Sequence, residues 1–449
     1  MKAEPKKSIS TQELSFFWAA AILFQYISQL SWIIALVGAP LSAASALQFA
    51  LVFSATALLL FPASSCLLMA TAAFQISHVL LSLPDVPNHR LYTALVNLAI
   101  LLGALKNRKA PWEEAAPVLR TLLVTLYLFA ALAKTNSAYI DPSVSCATQF
   151  LHEMPLWNTS SPLLASAVAW GSLSLEWIVP LLLITRAFRP FAILLGLVFH
   201  IAISLDLARH FIDFSSVAVA SLLAFSAVPI LSAELRRSLG LAIAFGFTVC
   251  AYLGATAQHD WNFYLYFTES RDLLWLLYAG LVTGCYVLAL PNWKRATLTQ
   301  PFAIGTALKT LPFTLAILNG LTPYLGLKTK SSWDMYSNIR LEGSLPNHIL
   351  GTLDLRGEMH FPVHILKSTN SLLQLQYAEA GYDITPFELS SIFSSDPTGV
   401  TSFEWKGVTY QNYLHGSNAL PELSPPTWLD RKLTWYRPID RSTPVRCSR

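Results

Sequence analysis

Long apolar blocks fill the first 320 residues, separated by short polar gaps. A bilayer span needs roughly 17–25 mostly apolar residues. By that measure the pattern predicts about eleven membrane helices, at 15–36, 41–61, 63–83, 91–105, 118–134, 162–184, 191–205, 215–231, 239–257, 273–290 and 311–327. Several blocks are short, and Pro62 and Pro312 blur two edges, so nine spans with two re-entrant or interfacial pieces fit the same pattern. The block starting at 15 is too long for a signal-peptide core and lacks a clear small-residue cleavage site, which makes it the first span.

The pattern changes between Leu321 and Lys330. Residues 1–320 carry 32 charged side chains, whereas the much shorter stretch 321–449 carries 24. Short alternating runs follow at 348–355 and 359–366, with Gly, Pro, Asn and Asp between them, and these predict a small, mostly β appendage. The expected fold class is an all-α polytopic membrane protein of about 9–11 transmembrane helices. Its parts are a cytoplasmic segment 1–14, a transmembrane domain 15–327 and an extracytoplasmic C-terminal domain 328–449.

Composition narrows the class further. The chain is 54% hydrophobic and only 12% charged, against roughly 25% charged in a soluble domain. That excludes a cytosolic globular enzyme, a disordered chain and a disulfide-stapled mini-protein. A net charge of +4, scattered over the loops, is too mild for a nucleic-acid partner. The loop charges set an orientation. With the N-terminus inside and the spans alternating, twelve Lys and Arg fall on the inner side, among them Lys106, Arg108, Arg186 and Arg236. Only Arg90, Arg209 and Arg271 fall outside before the tail. This positive-inside bias predicts a cell-membrane protein whose C-terminal domain is extracytoplasmic.

Ionisable residues at membrane depth are functional candidates by default. Lys134, His78, His89 and His200 converge on the outer boundary, with Asp206 and His210 just beyond it; Glu176 is expected deeper, nearer the inner half. Each has an ordinary alternative. A lysine at a helix end snorkels to the headgroups, a lone histidine packs, and Glu176 pairs with a polar group of a neighbouring helix. No HExxH, GxSxG, P-loop or paired-histidine di-iron box occurs, so no metal site is expected. Cys66, Cys250 and Cys285 lie in apolar runs, whereas Cys146 and Cys447 lie in polar stretches, where pairing stays open.

Several strings recur in a definite order: Asn88-His89-Arg90-Leu91-Tyr92, the helix end Ala131-Leu132-Ala133-Lys134-Thr135, Phe199-His200, Phe214-Ser215-Ser216, Ser332-Trp333-Asp334-Met335 followed by Arg340, and Asn347-His348. Together they resemble the vitamin K-dependent gamma-carboxylase family and its bacterial relatives, the HTTM-domain proteins, from about Ser15 to His348. The resemblance implies a membrane enzyme that oxidises a reduced quinone with O2, epoxidase-type, and carboxylates glutamate in a peptide. It implies Lys134 as the base that deprotonates the quinol, with Asn88 and His89 assisting. It places His200, Trp333, Asp334 and Arg340 on the substrate side. The implied cofactors are reduced vitamin K or a related quinol, O2 and CO2. The implied partners are the lipid bilayer, the lipid-soluble quinol and a secreted peptide.

The chemistry is coherent. An amine in an apolar pocket has its charged form disfavoured, as a base near neutrality requires. Removing a glutamate γ-proton is beyond an amine, and oxygenation of the quinol supplies the stronger base. The chain also departs from the family. Ala133 stands where a second lysine is expected, Asn338 stands nearest the Trp-Asp-Met string in place of a histidine, and the tail is about 120 residues. These departures keep two other readings open. One is a non-carboxylating maturation factor for a secreted peptide. The other is a transporter, motivated by Glu176, against which no paired broken helices recur.

Overall fold

The computed structural model describes residues 9–29, 42–154, 161–205, 211–256, 261–295, 302, 307–343, 345–417 and 420–447. Asp206, His210, most of segment 1–14 and the 30–36 portion of the first expected span lie outside the described residues.

Every one of the eleven apolar blocks contains a helix. In chain order these are α1 (Thr11–Tyr26), α2 (Ala43–Leu60), α3 (Ser65–Ser82), α4 (Asn88–Lys106), α5 (Pro111–Lys134), a short extra helix α6 (Cys146–Glu153), α7 (Pro162–Ile184), α8 (Arg189–Ile203), α9 (Ile212–Leu223), α10 (Ala233–Thr256), α11 (Trp261–Ala289) and α12 (Ala307–Leu321). Among the described residues, six helices are long and apolar enough to cross a membrane: α2, α3, α5, α7, α10 and the stretch 264–292 that includes most of α11. That is fewer than the nine to eleven spans expected. The shortfall has two causes. α1, α8, α9 and α12 have 16, 15, 12 and 15 helical residues among those described, and α4 carries Asn88, His89, Arg90, Asn97 and Lys106 within one helix.

α1 is the axis of the bundle. It is apolar on every face, and such a helix belongs inside. Residues Glu13 to Tyr26 are all buried, against α2, α5, α9 and α10. Its start is closed by a capping box between Ser10 and Glu13. The other Glu13 oxygen accepts the amides of Ile230 and Leu231, both at 2.9 Å. Polar groups in this core are paired across helices. Trp18 donates to Asn97 at 2.8 Å, Trp112 to Ser15 at 3.0 Å, and Gln25 to Thr93 at 3.0 Å. α12 rests on α5 at Gly320, where a Cβ atom would meet ring atoms of Phe129 at 2.6 Å.

The C-terminal domain holds a five-stranded antiparallel sheet in the order β4-β3-β1-β2-β5. The strands are β1 (Val363–Ser368), β2 (Tyr382–Ile384), β3 (Val400–Trp405), β4 (Val408–Leu414) and β5 (Ile439–Asp440), with helices α13 (Pro386–Ser395) and α14 (Trp428–Leu433). Val363, Ile365, Leu389, Phe393 and Phe403 form its own core. The alternating run at 359–366 becomes part of β1. The run at 348–355 does not form a strand; its amides at Leu353 and Leu355 donate to Tyr324 and Leu325, just past α12. Its alternating leucines point outward instead.

The tail is fastened to the helices. Cys146 on α6 is disulfide-bonded to Cys447. The His348 ring bonds the Leu132 carbonyl at 2.8 Å, and Ser331 donates to the Val86 carbonyl. Between them, residues 329–336 fold back against the helix ends.

Candidate functional site

Where the tail meets the helices there is a cavity of about 900 Å³. Ligand pockets fall in the range of roughly 300–1,000 Å³. Most of its wall is apolar, from Leu123, Leu126, Phe150, Phe199, Phe211 and Phe214. Asn88, His89, Lys134, His200 and Asp334 also line it, so five of the seven expected site residues meet in one place.

Three polar pairs stand in this apolar wall. Lys134, at the last residue of α5, is held by Glu176 of α7 at 2.9 and 3.0 Å. Both are more than nine-tenths buried. Glu176 was expected apart from the rest, and the structure instead brings it to Lys134, through the packing of α7 on both α5 and α6. The second pair is His89 Nε2 with Asp213 Oδ2 at 3.2 Å. The third is Tyr127 Oη with His200 Nε2 at 2.7 Å. His200 is fully buried, edge-on to Phe199 and Phe214, and its Nδ1 has no hydrogen-bond partner among the described residues.

Asn88 faces the cavity, but its Oδ1 accepts the Trp333 amide at 3.0 Å. Trp333 itself stands behind the wall, 1% exposed, its indole donating to the Ala316 carbonyl at 2.8 Å. Arg340 is not at the cavity. Its guanidinium donates to the carbonyls of Leu345, Asp440 and Ser442 within the C-terminal domain. His78 is also elsewhere, bonded to Tyr26 at 3.2 Å.

The tail closes one side of the cavity with Lys330, Asp334, Trp435 and Arg437. Lys330 Nζ lies 3.6 Å from the Trp435 ring centroid. Burial lowers its ammonium pKa, opposed by Asp85, Glu388 and Asp334. Burial also pulls Lys328 down to about 8. Arg437 holds Asp334 at 3.2 Å. The loop beneath is unusual: Ser331, Trp333, Tyr336 and Asn338 all have φ between 49° and 64°. Such left-handed backbone is costly for non-glycine residues and persists only where surroundings over-determine it. Here they do. The Asn338 side chain alone bonds the Cys146 amide and the Val144 and Val445 carbonyls.

Asp213 and Tyr127 were not among the expected site residues. Asp213 was detectable as a lone acid in front of the Phe214-Ser215-Ser216 string, in the first turn of an apolar helix. No group of three or more metal-ligating side chains occurs among the described residues. No family model, curated protein or solved structure matches the chain.

Proposed function

We propose that the protein is a multi-pass membrane enzyme, vitamin K-dependent gamma-carboxylase-like, that oxidises a reduced lipid-soluble quinone with O2 at this cavity. The proposed reaction extends to carboxylation of glutamate in a secreted peptide, with CO2 as the carbon source. The observation that carries the reading is the convergence of Lys134–Glu176, His89–Asp213 and Tyr127–His200 on one apolar chamber. We further propose that the chain sits in the cell membrane with its N-terminus inside and its tail outside. The loop-charge bias supports this, as does a disulfide that an oxidising compartment would maintain.

The residues fit such a ligand. Leu123, Leu126 and the phenylalanines accept a flat apolar ring, and paired polar groups offer points for its hydroxyls. A reduced quinone supplies electrons and, with O2, a stronger base than any side chain here. In place of the free-amine base that the resemblance implies, the Lys134–Glu176 pair would act together: the Glu176 carboxylate would take the quinol proton at an oxygen, and Lys134 would hold the oxyanion left behind. Asp213 lies beside His89 at Nε2 and steadies the ring when it carries a proton. Tyr127 orients His200, whose unpaired Nδ1 stays buried in the aromatic wall.

The test is mass spectrometry of the quinone pool after purified protein is incubated with reduced naphthoquinone and O2. Oxidised or epoxidised product above the protein-free background is expected from the wild type, and no more than that background from Lys134→Ala. Product no greater than a protein-free control would overturn the reading. One observation favours a second reading. A Lys–Glu pair within a helix bundle also suits proton-coupled transport, and solute flux in liposomes that depends on Glu176 would promote it.

A further inference from the structure

We propose that the C-terminal domain carries an apolar ledge that embeds in the interfacial zone of the lipid leaflet reached by the tail-side ends of α3 and α12. The proposal rests on the membrane placement and not on the quinol chemistry. Trp428, Leu429 and Leu433 are 68%, 56% and 58% exposed on the short helix α14, and Leu353 and Leu355 are 73% and 65% exposed nearby. The Arg356–Asp430 ion pair, at 2.8 Å, joins the two groups into one surface. Exposed apolar area of this kind, rimmed by polar groups, marks an interaction site.

The position of the ledge says what covers it. Lys432 Nζ donates to the carbonyls of Leu81 and Leu83, at 3.2 and 2.7 Å, so α14 is seated on the end of α3. The amides of Leu353 and Leu355 are fixed to residues just beyond α12. The outer faces of those two helices are also bare and apolar, with Leu80 and Leu81 on α3 and Leu311, Leu315 and Leu318 on α12. The ledge continues those faces. α3 has 18 residues, about 27 Å of rise, close to the hydrocarbon thickness of a bilayer. Its end is therefore where hydrocarbon gives way to headgroups. Tryptophan is favoured at that level, and Arg431 and Arg356 can reach the headgroups above it. Docked this way, the ledge fixes the depth of the whole tail and holds the Lys330–Trp435 side of the cavity at the leaflet surface.

The full-length protein with Cys66→Ser and Leu429→Cys, labelled with an environment-sensitive fluorophore, is reconstituted in phosphatidylcholine vesicles. A second sample carries the label at Leu355→Cys, and a reference sample at Val408→Cys on the edge strand β4. All three positions are exposed, so the fold is expected to survive. Labels at 429 and 355 should be quenched several-fold more by lipids bearing a shallow nitroxide than by aqueous iodide, with the opposite order at 408. Free quenching by iodide at 429 and 355 overturns the proposal. So does shielding that vanishes when the protein is diluted in lipid, because a second copy would then be the cover.

Discussion

Glu176 closes on Lys134 with both carboxylate oxygens, at 2.9 and 3.0 Å, so neither charge stands alone in the apolar wall. Breaking a buried pair leaves an uncompensated charge and costs about 3–5 kcal/mol, whereas replacing both partners with apolar groups is often neutral. Glu176→Gln should therefore lower the thermal midpoint in detergent markedly. Lys134→Met combined with Glu176→Leu should recover most of that loss while remaining inactive toward quinol. A midpoint unmoved by Glu176→Gln would remove the pair from both stability and mechanism.

Asp213 touches His89 at Nε2 and nothing else in the proposed chemistry. Asp213→Asn should keep the fold and reduce quinol turnover by about 100-fold, the scale of a lost acid–base contribution. The comparison to run is turnover of Asp213→Asn beside His89→Ala. Full activity in the first with none in the second would mean that the aspartate only packs.

The Cys146–Cys447 bond ties two positions 301 residues apart. Cross-links that close long loops contribute roughly 2–5 kcal/mol. Reduction, or Cys447→Ser, should raise hydrogen exchange in segment 440–447 and in α6 while leaving α1 protected. Protection in segment 440–447 that does not change would show that Asp440 and Arg446, paired at 2.7 Å, hold the strap unaided.

Burial raises the Glu388 carboxyl to about 7, against the opposing pull of the Tyr436 amide and Lys330, with Glu358 adding to the rise. The folded chain thus keeps a proton that the unfolded chain releases at its ordinary glutamate pKa. Stability from this group is complete below that ordinary value and is lost as pH climbs from there through about 7. Melting of the C-terminal domain should fall between pH 5 and pH 8 by on the order of 2 kcal/mol. Glu388→Gln, which keeps the acceptor for Tyr436, should flatten that slope.

The helices were legible because apolar blocks of membrane length can do little else. Block edges were less so: α5 begins at Pro111, seven residues before its apolar core, since Pro at N1 and the acids Glu113 and Glu114 favour a helix start without being apolar. Within the site, Lys134, His89 and His200 stood out as ionisable groups in oily surroundings. Glu176 stood out too, as an acid inside a span that could pair with a neighbouring helix, but its partner did not. Asp213 and Tyr127 went unnoticed, because they meet His89 and His200 only through the packing of different helices. The left-handed run at 331–338 was invisible for another reason. It is built on Ser, Trp, Tyr and Asn rather than glycine, and its bonds come from segments up to 245 residues away.

The enclosure of α1 bears on how the molecule is put together. Thr11–Tyr26 is synthesised before α5, α9 and α10, yet those later helices are the ones that wall it in. Assembly cannot be a matter of adding finished rods to an outer edge. The later arrivals have to close around a resident already in place, and the Glu13 carboxylate waits some 217 residues of chain for the amides that satisfy it.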